Sequence, residues 1–251
     1  MVEFPQSFVV REECQKVAFQ NGFRRVLGEE AGWACFASTT AQGIIHLAAA
    51  GPAGSWYLAL EHRGIIQELN YAASEIPGPG QVRLAFDTLG ELYPVLRRVY
   101  ELGVSLPDAP LREFQERIAG MPRSTEAERL VVQRIGQEIF RTRLLDYWQG
   151  RCPLTGITDR PLLRASHIIP WADCENDAER LNVHNGLLLS ALWDAAFDRA
   201  LVTFNDMGEP EFSGILSEEG KAELRWRSRI LLSGEHCRRL LLHRERMCVL
   251  T

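Results

Sequence analysis

Residues 162–171 read LLRASHIIPW, an apolar run that delivers a serine and a histidine and is then stopped by proline. Proline offers no N–H to a strand ladder and fixes its own φ, so Pro170 ends the element before it. The pattern predicts a strand that finishes at His167, with the imidazole at the lip of the strand. A polar loop, ADCENDAERLNVH, occupies 172–184. Asn185-Gly186 then opens the short strand LLL, and SALWDAAFD (190–198) continues as a helix with Ser190 as its N-cap. The local order is therefore strand, loop, strand, helix. ALVTF (200–204), the turn NDMG and EPEFS after it predict a closing hairpin.

Three polar residues in this block, His167, Asn185 and Asp194, stand where an apolar core needs none. Asp198 lies one helical turn after Asp194, so both carboxylates point to one side of the helix. A neutral histidine can take a proton from water, because its pKa lies near working pH. Carboxylates suit a hard divalent cation, which would neutralise charge on phosphoryl and leaving oxygens. Plainer readings exist for each residue. His167 could be a satisfied structural histidine, Asn185 a turn residue before glycine, Asp194 an exposed helix charge and Asp198 a local partner of Arg199. Trp193 and Phe197 fit the core, and His184 fits a loop residue as well as a phosphate contact.

The runs RCPLTGI, LLRASHIIPW and NGLLLSALWDAAFDRALVTF resemble the HNH endonucleases of the ββα-metal fold, in the branch with A-S-H-I-x-P-W and N-G-L-L-L followed by D-x-x-F-D. The likeness covers roughly residues 140–205. It implies that His167 is the general base and that Asn185, counted with it in the catalytic set, constrains the loop so as to orient the histidine. It implies that Asp194 is a metal ligand, with Asp198 and Ser166 as further metal positions. Two letters depart from the common pattern: the third motif residue is aspartate rather than histidine, and Ser166 stands where many such enzymes carry aspartate or histidine. Fewer strong protein ligands leave room for water and substrate oxygens, as a Mg2+ site tolerates; Mn2+ and Ni2+ are alternatives. The resemblance further implies DNA as substrate, 5′-phosphate and 3′-hydroxyl ends, and a bacterial restriction or defence setting. Arg164, His184 and Arg199 are the nucleic-acid contacts nearest the motif, and the arginines of 225–246 add weaker ones. A catalytically silent nucleic-acid-binding protein on the same fold is the rival reading.

The 251-residue chain can bury a full core, with 46% hydrophobic and 24% charged residues. No apolar run is long enough to span a membrane, and the opening residues lack a secretion signal, so the expected location is the cytoplasm. Six cysteines, at 14, 35, 152, 174, 237 and 248, form no C-x-x-C pair, which removes a zinc ribbon and points to reduced thiols. The net charge of −5 argues against indiscriminate polyanion binding. Its distribution is uneven, however. Residues 152–220 carry 4 Arg/Lys against 12 Asp/Glu, whereas 221–246 carry 8 against 3.

The expected class is α+β. Residues 1–108 read as a small mixed α+β domain suited to target recognition: a helix over 8–20 capped by Ser7, strands at 32–38, 43–50, 55–61 and 81–86, and helices near 64–73 and 88–102. Residues 109–150 read as a helical linker, with Thr125 and Glu128 as a capping box and Leu130, Val131, Ile135, Ile139, Leu144 and Leu145 along one face. Residues 151–251 read as the nuclease domain with a basic helical tail. Double-strand cutting with one site per chain would be met most simply by a homodimer.

Overall fold

The structure is a computed structural model that describes residues 1–122 and 124–250, with side chains to residue 248. It is α+β and divides into two compact units, Met1–Ala109 and Pro110–Thr251.

In the first unit, α1 (Phe8–Gln20) begins where the Ser7 side chain accepts from the Val10 N–H, and it stops at Asn21 and Gly22, the latter at φ +87°. Five strands follow: β1 (Arg25–Glu30), β2 (Trp33–Ala37), β3 (Ile44–Ala49), β4 (Trp56–Leu60) and, after α2 (Arg63–Leu69), β5 (Val82–Phe86). They pair antiparallel in sequence order as one sheet. Register places Ala34, Leu47, Leu58 and Leu84 in one row and Cys35, His46, Ala59 and Arg83 in the next, on the opposite face. The first face buries against α1 and α3 (Leu89–Ser105), whose Leu92, Leu96 and Val99 are in the core. β1 escapes sequence reading for a physical reason: every residue of RVLGEE is exposed, so no alternation of apolar and polar positions marks it.

The second unit opens with α4 (Ala109–Arg117) and α5 (Glu126–Tyr147). Both arms of the Thr125/Glu128 capping box are formed. The buried stripe of α5 is Gly136, Ile139, Phe140, Leu144 and Tyr147. Leu130 and Val131, placed on the core face by periodicity, are half exposed instead, since the buried residues of α5 begin only at Gly136. That hairpin is β6 (Leu163–His167) paired antiparallel with β7 (Gly186–Ser190), and α7 (Ala191–Asp198) follows without a break. Between the strands runs a loop containing α6 (Asp177–Arg180). Ser190 sits at the N-cap of α7, but its side chain makes no capping hydrogen bond; it is still the last residue of β7, paired with Leu163. β8 (Val202–Phe204) and β9 (Pro210–Phe212) form the expected hairpin, and α8 (Glu218–Glu223) and α9 (Gly234–Leu250) complete the unit. Among the described residues no helix is long and apolar enough to cross a membrane.

Candidate active site

The β6–β7 register sets the site. His167 is opposite Gly186 and Ser166 opposite Leu187. Neighbouring strand residues point to opposite faces, so His167 turns toward α5 while Ser166 turns toward α7. Gly186 matters here by its size: a Cβ on it would lie 2.5 Å from Phe140 Cζ and 2.9 Å from Leu144 Cδ1. The missing side chain lets α5 lie close on the hairpin. Phe140 thereby stacks on the His167 ring, with centroids 3.7 Å apart and planes 19° apart. Trp171 meets the same ring edge-on at 5.5 Å and fits over Gly136, one turn before Phe140, where a Cβ would lie 2.7 Å from Trp171 Cη2.

The imidazole is fixed in tautomer as well as position. His167 Nε2 lies 2.9 Å from the Arg180 carbonyl oxygen. A carbonyl only accepts, so Nε2 carries the proton and the lone pair of the neutral ring sits on Nδ1. Burial holds the His167 pKa below the usual histidine value, opposed by the hydrogen bond to Arg180 and by the charge of Asp198. The ring is therefore neutral near pH 7.

The loop that supplies this carbonyl is tied down twice. The Arg180 guanidinium donates to the Trp171 and Cys174 carbonyls, at 3.1 and 2.8 Å, and to Asp177. Asn185, fully buried, accepts from the Ile169 N–H at 2.8 Å and donates to the Ile169 carbonyl at 3.2 Å. Both arms of its amide thus grip one residue's backbone directly after the strand. Asn185 thus holds backbone and is itself inaccessible to solvent.

Asp194 and Asp198 come from α7. Asp194 lies beside His167 in a cleft of about 300 Å³, with Gln137, Phe140, Arg141 and Arg164 also on its walls. Burial raises the Asp194 pKa; the Ser166 hydroxyl, donating to Oδ1 at 2.5 Å, opposes this, Asp198 raises it further, and Arg164 and Arg199 lower it. Ser166 is nearly inaccessible and reaches the site through Asp194. Asp198 is exposed, and its charge acts on both His167 and Asp194. Among the described residues no group of three or more His, Cys, Asp or Glu side chains converges as a metal cage. The two α7 carboxylates offer oxygen donors of the kind a hard divalent cation takes.

Sequence reasoning placed His167, Ser166, Asp194, Asp198, Arg164 and Arg199 together, and the structure gathers the other five around Asp194: His167 and Arg164 share its cleft, Ser166 donates to it, and the charges of Asp198, Arg164 and Arg199 act on it. It does not bring His184, whose ring is buried between Tyr147 and His236 at 5.5 and 5.2 Å. The aromatic wall of Phe140 and Trp171, the Arg180 carbonyl and Arg141 were not foreseen. Phe140 looks like any core residue of an amphipathic helix, and a backbone carbonyl has no signature in sequence. Arg141 donates to the Leu163 and Arg160 carbonyls, at 3.0 and 3.1 Å, and so bridges α5 to the start of β6.

Residues 152–205 match the family model of the HNH endonucleases. No curated protein matches the chain. The match starts at the turn before β6 and ends just after β8, so it spans the hairpin, its loop and α7.

Proposed function

We propose that this chain, with an HNH endonuclease domain in its second unit, is a metal-dependent nuclease that hydrolyses DNA phosphodiester bonds. The observation that carries the reading is His167: Nε2 is committed to the Arg180 carbonyl, and among the described residues no hydrogen bond occupies Nδ1. Nδ1 takes a proton from water as the water oxygen attacks phosphorus. The P–O3′ bond breaks in line with the attack and the departing O3′ takes a proton from solvent water, leaving a 5′-phosphate and a 3′-hydroxyl. Phe140, Trp171 and Arg180 keep the base in place and neutral before the step, so that little reorganisation accompanies it. Asp194 and Asp198 would hold a divalent cation, Mg2+ by the hardness of the donors, with Ser166 orienting Asp194. Such an ion, when bound, neutralises charge on the phosphoryl group and the departing oxygen. Arg164 and Arg199 flank the carboxylates and offer guanidinium groups to neighbouring phosphates.

The first unit, with its own sheet and core, is assigned to target choice, since a small hydrolytic module needs a second surface to select where it cuts. The role proposed for the chain is restriction or defence in the cytoplasm, and a homodimer would cut both strands. The test is cleavage of supercoiled plasmid, with unmodified and base-modified DNA, in Mg2+, Mn2+ or Ni2+, beside EDTA and His167→Ala. Metal-dependent cutting that disappears in His167→Ala is the expected result. Intact DNA binding without cutting under any metal would overturn it in favour of a binding module on the same fold.

A further inference from the structure

Between α8 and α9 the chain runs Arg225-Trp226-Arg227-Ser228-Arg229, and all five residues are exposed. The ends of this strip are sunk in the core through Leu224 and Ile230. It is pinned at four points, three through its backbone and one through the Ser228 side chain. The Trp193 indole donates to the Arg225 carbonyl at 3.1 Å, the Arg227 N–H donates to the Leu154 carbonyl at 2.8 Å, the Ser228 hydroxyl donates to the Pro153 carbonyl at 2.7 Å, and the Ile230 N–H donates to the Gly208 carbonyl at 2.9 Å. Gly208, at φ +75°, is held to glycine by the same crossing, since a Cβ there would collide with the Ile230 carbonyl.

A solvated loop has no need of this much fixing. The guanidinium groups differ from three of the four that follow in α9. Arg238 and Arg239 pair with Glu235, and Arg244 pairs with Asp206. Among the described residues Arg225, Arg227 and Arg229 have no acidic partner. Three cations outside any direct ion pair, on a backbone already ordered, form a surface that loses little backbone entropy when a polyanion arrives. The indole of Trp226, 43% exposed, lies between two of them and offers an apolar face to a sugar or base.

We infer that residues 225–229 form a second DNA-anchoring surface, separate from the cleft at His167, which grips the phosphodiester backbone of the same duplex. This rests on the DNA-nuclease reading for its ligand. The strip is tied to the reacting end of the molecule through Trp193, the residue before Asp194, so that a duplex held on it loads against the unit that carries the base.

The test is binding of a fluorescent DNA duplex across a salt series by the full chain carrying His167→Ala in EDTA, with and without Arg225→Ala, Arg227→Ala and Arg229→Ala together. Every phosphate that an arginine no longer neutralises should lower the slope of log K against log salt by about 0.9. The triple alanine variant is therefore expected to flatten the slope by about 2–3 with its melting temperature unchanged, and the triple lysine variant to keep the slope. An unchanged slope in the alanine variant, or no DNA binding by the parent chain, would overturn the proposal; so would a strip-dependent preference for RNA over DNA. If the unmodified chain binds through the strip but never cuts DNA in any metal, the strip stands and the nuclease reading falls.

Discussion

Replacing Gly186 by alanine strikes the packing on which the site depends. Its φ of −151° is one that alanine adopts freely, so the backbone is not strained and the effect is one of space. The new methyl would lie 2.5 Å from Phe140 Cζ, and 2.9 and 3.2 Å from the two Leu144 methyl carbons. Leu144 can rotate its methyls away. Phe140 gives way only by moving its ring, and that ring is stacked on His167 at 3.7 Å. Overpacking a filled core costs about 1–3 kcal/mol. At about 4 °C per kcal/mol for a unit of this size, the melting temperature should fall by about 4–12 °C. Loss of alignment by about 1 Å at a reacting group costs on the order of a hundredfold in rate, so plasmid cleavage should fall much further than the folded fraction does. Scanning calorimetry and single-turnover cleavage, measured well below the transition, separate the two effects. The double variant Gly186→Ala/Phe140→Leu should regain melting temperature and not rate. A Gly186→Ala protein that melts and cuts like the wild type would refute the argument, because α5 would then not be what holds the base.

Other outcomes follow from the same geometry. As the proposed base His167 acts when neutral, and burial depresses its pKa below the ordinary 6.5, so single-turnover cleavage should rise with pH to a plateau and pass half its plateau rate at a pH under 6.5; a half-point above pH 6.5 would contradict the burial argument. Asn185→Ala strips the side-chain acceptor from the Ile169 N–H and leaves the Ile169 carbonyl only the Cys174 thiol, which should cost about 1–3 kcal/mol for the unsatisfied N–H, read by urea unfolding; a loss under about 1 kcal/mol would mean that water replaces the amide. His243, buried on Phe197 with its two nitrogens at Thr203 Oγ1 and the Phe197 carbonyl oxygen, has its pKa lowered from 6.5 to about 4. The unfolded chain then binds the extra proton first, so this stabilisation is complete above pH 6.5 and declines as pH falls toward 4, by about 3 kcal/mol in all. A His243→Gln protein should lose less stability than the wild type over that window, and parallel pH–stability curves would show that His243 does not titrate as described.

The sequence carried the second unit well because its signals are local. Pro170 ends β6, Asn185-Gly186 opens β7, and i, i+4 spacing sets Asp194 and Asp198 on one side of α7; each depends on a few neighbouring residues and on backbone chemistry. Caps were legible for the same reason, as Ser7 and Thr125 show, while Ser190 shows that occupying the cap position does not ensure the cap bond. Strand β1 was not legible, because an edge strand with every side chain in solvent has no hydrophobic period. The tautomer of His167, the aromatic wall around it and the burial of His184 were decided by tertiary structure alone. They depend on a carbonyl 13 residues away, on a helix brought close by the bare Cα of Gly186, and on a ring cluster from three separate elements. The chain's residue types set which chemistry was available at the end of LLRASHIIPW. Long-range packing determined which nitrogen of the histidine could perform it, because burial and hydrogen-bond partners belong to the folded neighbourhood and not to the residue.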